Sequence, residues 1–383
     1  MAFTFSTARI LFGPGTRLQI AAQAYRLGRR CLLVTGSRPE GCAWLADDLS
    51  GVMDDVFVMS VSGEPEAASI AGQALSARAW GCDVVVAVGG GSVLDAGKAL
   101  AALVPNPGDI FDYLEVVGRG MPLEQTPLPL IAAPTTAGTG SEATANAVLL
   151  SRAHGVKISL RSPEMIPSLA VVDPELAVSL PPRQTAATGL DALTQLMEAF
   201  VSHAASPLTD PLCRDGMARA ARSLRRAVAD GKDLAARTDM ALASLFSGMA
   251  LANAKLGAVH GLAAPLGAML GAAHGEICAA LLPHVMEANI AVLRAAYPAH
   301  PSLDRFAETG QLLAGERDAL AGVRFVHALC RDLDVRNLRD LGLAEGMVDD
   351  AARKAAGASS MKGNPVELDH DRLSAILLRA LDG

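Results

Sequence analysis

Residues 83–99 read DVVVAVGGGSVLDAGKA, an apolar run that breaks into three glycines and resumes at a helical period. Such a run, with no polar alternation, suits a strand buried on both faces, as in a parallel sheet covered by helices. The glycines allow a sharp turn and a close approach of backbone to ligand. At the start of the following helix the N–H groups of Gly90, Gly91 and Ser92 face an anion such as a pyrophosphate. The spacing differs from GxGxxG, so taken alone the turn reads equally as a phosphate cradle or as a tight turn. Asp95 joins these candidate cofactor contacts, although it and Lys98 read as well as ordinary solvated helix residues.

The same alternation extends on both sides. Strand-like runs occur at 31–35 (CLLVT), 56–61 (VFVMSV) and 129–134 (PLIAAP), with helix-period segments such as PEAASIAGQALSARAWG (65–81) between them. The N-terminus, MAFTFSTARILFGPG, reads as one more short strand entering a Gly/Pro turn. This predicts an α/β domain with a mostly parallel, Rossmann-like sheet. A second loop, APTTAGTGSEAT (133–144), follows the strand at 129–134 and offers Thr135, Thr136, Thr139 and Ser141 as hydroxyl donors among glycines. A loop of that composition is ordinarily a surface turn. Two such loops beyond neighbouring strand ends favour a nucleotide, because ligands of open α/β sheets bind beyond the carboxyl ends of the strands. After about residue 183 strand signals stop and helix follows helix, which places a boundary at SLPPR. The expectation is a dinucleotide-binding domain over 1–181 and an all-α domain over 182–383.

Composition removes several classes. At 383 residues the chain exceeds the size at which a single core keeps growing, and 51% hydrophobic with 19% charged residues excludes disorder. A net charge of -7 with no basic run interleaved with aromatics gives no electrostatic case for nucleic acid. Six cysteines without CxxC spacing read as buried free thiols in a reducing, cytoplasmic setting, and the N-terminus has no signal-peptide pattern. The Ala/Leu/Gly-rich stretch 241–283 is interrupted by Asn253, Lys255, His260 and His274, so it reads as buried helix and no membrane partner is expected.

That stretch runs into AVHGLAAPLGAMLGAAHGEICAALLPH (258–284), where His260 and His274 stand in apolar surroundings. A lone histidine there is ordinarily a packing residue; two suggest convergence on a metal or a reacting oxygen. Upstream, in TGLDALTQLME (188–198), Asp191 and Gln195 are four apart on one helical face and complete a four-member candidate metal set, Asp191, Gln195, His260 and His274. A carboxamide oxygen is a poorer donor than carboxylate or imidazole, so the expectation is weak metal retention or none.

Six segments in order, GGGSVLDAGKA, PTTAGTGSEAT, VVDPELAVSLPP, TAATGLDALTQLMEAFVS, HGLAAPLG and HGEICAALLPH, resemble the iron-containing (group III metal-dependent) alcohol dehydrogenase family across nearly the whole chain. The resemblance implies dehydroquinate-synthase-like architecture. It also implies a nicotinamide cofactor meeting an alcohol or aldehyde in a cleft between the two domains, and a homo-oligomer, dimer or larger. It assigns Asp191, His260 and His274 as ligands of a divalent metal, Fe or Zn, and as catalytic residues, with Lys157 of GVKISL a catalytic and cofactor-side lysine. The chain departs from the family twice: Gln195 replaces the histidine of DALTH, and Ala264 stands where a further active-site histidine is common. In CLLVTGSR, Gly36 replaces the Asp often found in members preferring NAD. Gly36 and Ser37 with Arg38 therefore leave room and positive charge for NADP(H), slightly favoured within NAD(P). Two alternatives stay open. One is a maleylacetate-reductase-like enzyme without metal, for whose dicarboxylate substrate the sequence around the site offers little beyond Lys255. The other is a non-redox dehydroquinate-synthase-like lyase.

Overall fold

The computed structural model describes residues 3–383 as two compact units. The α/β unit comprises residues 7–136 and 140–178; the helical unit comprises 179–383 with 137–139 and the segment up to Ser6. The short stretch Ala137–Thr139, inside the second glycine-rich loop, thus belongs with the helices.

In the α/β unit the order is β1 (Arg9–Phe12), α1 (Ile20–Leu27), β2 (Arg30–Gly36), α2 (Ala43–Ser50), β3 (Asp55–Val61), α3 (Ala67–Trp80), β4 (Val84–Gly89), α4 (Gly91–Leu103), the single turn α5 (Ile110–Tyr113), β5 (Leu130–Pro134), β6 (Asn146–Ser151), β7 (Val156–Arg161) and β8 (Leu169–Val172). Six strands form one parallel sheet in the order β1-β8-β5-β4-β2-β3. Side chains of β2 and β4 alternate between two cores. Leu32, Val34, Val85 and Ala87 pack with Ile70, Leu94 and Leu100, whereas Cys31, Leu33, Val84 and Val86 pack with Ile20, Leu45 and Leu49. Burial on both faces is why these strands read as unbroken apolar runs.

The chain reverses its direction of travel across the sheet at β2, which pairs with β3 on one side and β4 on the other. The carboxyl ends of β2 and β4, at Gly36 and Gly89, therefore lie side by side at the topological switch point where such sheets bind nucleotides. Gly97 lets α4 approach closely, since a Cβ there would stand 2.6 Å from that of Ala87 on β4.

An antiparallel hairpin, β6 with β7, was not among the sequence-predicted strands. It is tied to α4 by buried charge. Lys98, expected to be solvated, is 1% exposed; it pairs with Asp95 at 2.9 Å and donates to Thr144 Oγ1 (2.9 Å) and to the carbonyl of Asn146. Asp95 in turn accepts from Ser141 Oγ (2.5 Å) and from the amide of Val148 (3.1 Å). The solvated reading fails because the hairpin covers this face of α4 and satisfies its charges internally.

The helical unit contains α6 (Pro182–Val201), α7 (Thr209–Ala229), α8 (Leu234–Asn253), α9 (Ala258–Leu270), α10 (His274–Ala296), α11 (Pro301–Ala314), α12 (Ala319–Asp332), α13 (Val348–Ala356) and α14 (His370–Asp382). No strand follows β8 among the described residues. Helix α6 is buried without interruption from Gly189 to Val201, so the helix that carries Asp191 is a core element. By length and mean hydropathy (23 residues, 1.4) α10 could cross a membrane, but 72% of its apolar window is buried inside the protein, in keeping with the buried helix expected for this region. None of the six cysteines forms a disulfide, and burial pushes the thiols of Cys31, Cys82, Cys213 and Cys330 up to about 12.

Glu142, at the end of the second loop, is 1% exposed, and its Oε1 lacks a hydrogen bond among the described residues. Burial raises its pKa from 4.5 to about 7, against the lowering effects of a backbone hydrogen bond and of Lys98. The folded protein therefore holds a proton between pH 4.5 and 7 that the unfolded chain has shed, so this group's contribution to stability falls as pH rises through that window. Replacing Glu142 with Gln is expected to raise Tm relative to the parent at pH 8 and to have a smaller effect at pH 4.5. Calorimetry at the two pH values checks this, and an equal shift at both would contradict it.

Candidate active site

Helix α6 presents Asp191, Gln195 and Glu198 at i, i+4 and i+7, one buried face of one helix. Glu198 fixes the next element. Its Oε1 accepts from the amide of Val259 (2.7 Å), and Asn364 Oδ1 accepts from that of Ala258 (3.1 Å), so the first turn of α9 is capped by two side chains. The other carboxylate oxygen, Glu198 Oε2, lies 2.6 Å from Nδ1 of His260. With Nδ1–H donating to Glu198, the lone pair of His260 Nε2 points at Asp191 Oδ1, 3.6 Å away.

Helix α10 adds His274 in its first turn and Cys278 one turn later. It lies close to α6 because residue 275 is glycine: a Cβ there would stand 2.4 Å from the carbonyl of Ala187. His274 Nε2 is 3.8 Å from Asp191 Oδ1 and 3.6 Å from Cys278 Sγ, and the two imidazole centroids are 5.3 Å apart. Ligand atoms of Asp191, His260, His274 and Cys278 all lie within 4.8 Å of one another.

Two atoms here are orphans. Asp191 Oδ1 and His260 Nε2 are fully buried and make no hydrogen bond among the described residues. A buried carboxylate oxygen facing a buried imidazole nitrogen requires a cation or a proton between them. Burial disfavours charge on His260, yet Asp191 and Glu198 outweigh it and raise its pKa to about 9. Burial likewise disfavours the Asp191 carboxylate, but His260, His274 and Cys278 hold its pKa below the usual range. Imidazole, carboxylate and thiol donors converging on one point fit a divalent transition metal.

Gln195 is engaged at both ends of its carboxamide. Its Nε2 donates to Asp191 Oδ2 (3.2 Å) and its Oε1 accepts from Ser247 Oγ (2.8 Å). Ala264 is exposed on α9. Lys157, on β7 of the α/β unit, pairs with Glu64 at 3.0 Å. Two participants were missed at the sequence level, Glu198 and Cys278. The signal for each was spacing: Glu198 lies seven residues after Asp191 and Cys278 four after His274, each on the same helical face.

The cofactor candidates lie in the α/β unit, apart from Thr139. Gly90 caps α4, Gly91 and Ser92 open it, and a Cβ on Gly90 would meet the methyl of Thr136 at 3.3 Å. Thr135 donates its amide to the carbonyl of Gly89 (2.9 Å), which brings the two loops together. Ser141 and Asp95 bond to each other in the α4 network. Gly36 ends β2 and has space beside it, a Cβ being 3.9 Å from Val93, and Ser37 and Arg38 are exposed just beyond. Among the described residues Arg38 forms no ion pair.

Comparison with known proteins agrees with this arrangement. Residues 7–174 match the family model "Iron-containing alcohol dehydrogenase" and residues 185–381 the model "Fe-containing alcohol dehydrogenase family, C-terminal". Alcohol dehydrogenase 4 of Saccharomyces cerevisiae is 38% identical over 302 residues, 78% of this chain and 76% of the yeast protein. The crystal structure of a 1,3-propanediol oxidoreductase superposes with a TM-score of 0.91 at 32% identity, covering 99% of this chain and 100% of that one. Sulfoacetaldehyde reductase from Bifidobacterium kashiwanohense, in complex with NAD+, gives 0.89 at 32% identity, covering 100% and 99%. The class so defined is an oxidoreductase of alcohols and aldehydes. The chain belongs to the iron-containing alcohol dehydrogenase family.

Outer partners that orient a metal-binding histidine typically account for 10–100-fold in metal affinity. Glu198→Gln keeps an acceptor for the amide of Val259 but turns an N–H toward His260, so metal affinity is expected to fall by about 10–100-fold with the fold retained. Competition with a chromogenic chelator measures this. Unchanged affinity would show that Glu198 does not orient His260.

Proposed function

We propose that this protein interconverts a small alcohol and its aldehyde or ketone with NAD(P), aided by a divalent metal held by Asp191, His260 and His274. The observation that carries the reading is the pair of buried orphaned atoms, Asp191 Oδ1 and His260 Nε2, converging with the partly exposed His274. A divalent ion held by these residues would supply Lewis acidity, and a nicotinamide held by the glycine-rich loops would supply the hydride chemistry.

The chain's own residues do the rest. Asp191 places a full negative charge beside two imidazoles, which stabilises a cation there. Glu198 holds His260 in one tautomer and orientation, so no rearrangement is needed when charge develops. The amides of Gly90, Gly91 and Ser92 open α4 toward the pyrophosphate, and Thr135, Thr136, Thr139 and Ser141 belong to the loop that follows β5. Lys157 offers charge near the cofactor, shared with Glu64. Bare space at Gly36 and the unpaired cation of Arg38 favour acceptance of NADP(H), since no carboxylate repels a 2′-phosphate. The two-subunit or larger assembly and the cytoplasmic setting expected from the sequence are part of the same proposal.

A dicarboxylate substrate is less well served. Lys255 is exposed, and the arginines near the start of α10, Arg183 and Arg336, are both committed to Glu276 at 2.8 and 2.6 Å.

Two measurements test the reading. Exhaustive chelation is expected to abolish alcohol oxidation, and added Zn(II) or Fe(II) to restore it; full activity in a demonstrably metal-free sample would contradict the metal role. Gly36→Asp is expected to lower kcat/KM for NADPH by at least about tenfold while sparing or improving NADH, because the new carboxylate repels the 2′-phosphate. A parent enzyme already strongly selective for NADH would contradict the cofactor assignment.

A further inference from the structure

The metal group of this chain lacks one imidazole, since position 195 is Gln, and the amide oxygen of that Gln accepts from Ser247. Its Nε2 faces Asp191, an orientation the carboxylate imposes, because the reverse would set two oxygens against each other. A further donor comes from α10. Cys278 is fully buried, one turn beyond His274, with Sγ 3.6 Å from His274 Nε2. For tetrahedral zinc with ordinary bond lengths, two ligand atoms stand about 3.4 Å apart for an N/O pair and about 3.6 Å for an N/S pair. The separations here are 3.6 Å (His260 to Asp191), 3.8 Å (His274 to Asp191) and 3.6 Å (His274 to Cys278). Three of the six ligand-to-ligand separations thus lie close to those of a coordination tetrahedron, the other three are no longer than 4.8 Å, and Asp191 Oδ1 and His260 Nε2 make no hydrogen bond among the described residues.

We propose that Cys278 is the fourth protein ligand of the metal and that its thiolate makes Zn(II), not Fe(II), the resident ion. On binding, Cys278 loses its thiol proton to solvent and forms an S–metal bond, with no change in oxidation state. A thiolate is the softest donor available to a protein, and it shifts a carboxylate and imidazole site toward zinc and cobalt. It also replaces the weak carboxamide by an anionic ligand, so that Asp191 and Cys278 together neutralise the dication. The inference rests on the proposed metal-dependent function and specifies which side chain completes its site.

Cobalt(II) reports the ligand directly. The full-length protein, freed of metal and reconstituted with one equivalent of Co(II), is expected to show tetrahedral visible bands and a near-ultraviolet thiolate-to-cobalt charge-transfer band. In Cys278→Ser the charge-transfer band is expected to vanish while Co(II) still binds through Asp191, His260 and His274, with affinity reduced about tenfold or more. Cys278→Ala provides a second variant of similar size should the serine variant fold poorly, and Cys330→Ser controls for another thiol. A parent protein that binds Co(II) stoichiometrically with no charge-transfer band overturns the proposal while leaving the metal function intact. A band that persists in both Cys278 variants also overturns it. Failure of Co(II) to bind the parent at all removes the metal function itself. Competition between Zn(II) and Fe(II) under anaerobic conditions reads the second half, with zinc displacing iron from the parent expected and selectivity unchanged in Cys278→Ser contradictory.

Discussion

A carboxylate oxygen and an imidazole nitrogen, both buried, face each other across 3.6 Å with no hydrogen-bond partner among the described residues, so a proton or a metal cation belongs between them. Everything around this juxtaposition works to hold it. Glu198 removes the alternative by engaging His260 from the other side, and the same carboxylate caps the amide of Val259, so the imidazole's orientation and the start of α9 are set by one residue. Gly275 lets α10 pack against α6 so that His274 reaches the same point. Burying two such atoms is unfavourable in isolation by a few kcal/mol, a cost that a proton or a metal cation at the position they surround would offset.

The α/β unit follows a separate logic. Its parallel sheet is buried on both faces, and the reversal at β2 leaves Gly36 and Gly89 adjacent at the carboxyl edge. Glycine at both positions keeps side chains away from the edge, and the first turn of α4 presents its free amides there. The buried Lys98–Asp95 pair joins α4 to the β6–β7 hairpin and to Ser141, so the two glycine-rich loops rest on a frame of satisfied charges.

Much of this was legible in the sequence. Unbroken apolar runs marked β2 to β5 because both faces are covered, and helical periodicity after residue 183 marked the all-α part. Asp191, His260 and His274 stood out because imidazoles are rare in apolar helices. What escaped notice was set by contacts far apart in the chain. Hairpin β6–β7 has ordinary alternation, weaker than a buried run, and β1 finds its partner β8 some 160 positions away. Lys98 looked solvated because nothing local announces that a distant hairpin covers it. Gln195 looked like a metal ligand from its spacing to Asp191, but the hydroxyl of Ser247 on α8 engages its carbonyl. Cys278 looked like one more packing thiol until α10 was seen to place it beside His274.

The most direct test is anomalous diffraction from crystals of the protein reconstituted with a divalent transition metal and recorded at that metal's absorption edge. The account predicts one strong peak within about 2.0–2.3 Å of Asp191 Oδ1, His260 Nε2 and His274 Nε2. A map with full metal content but no peak at those three atoms would contradict it.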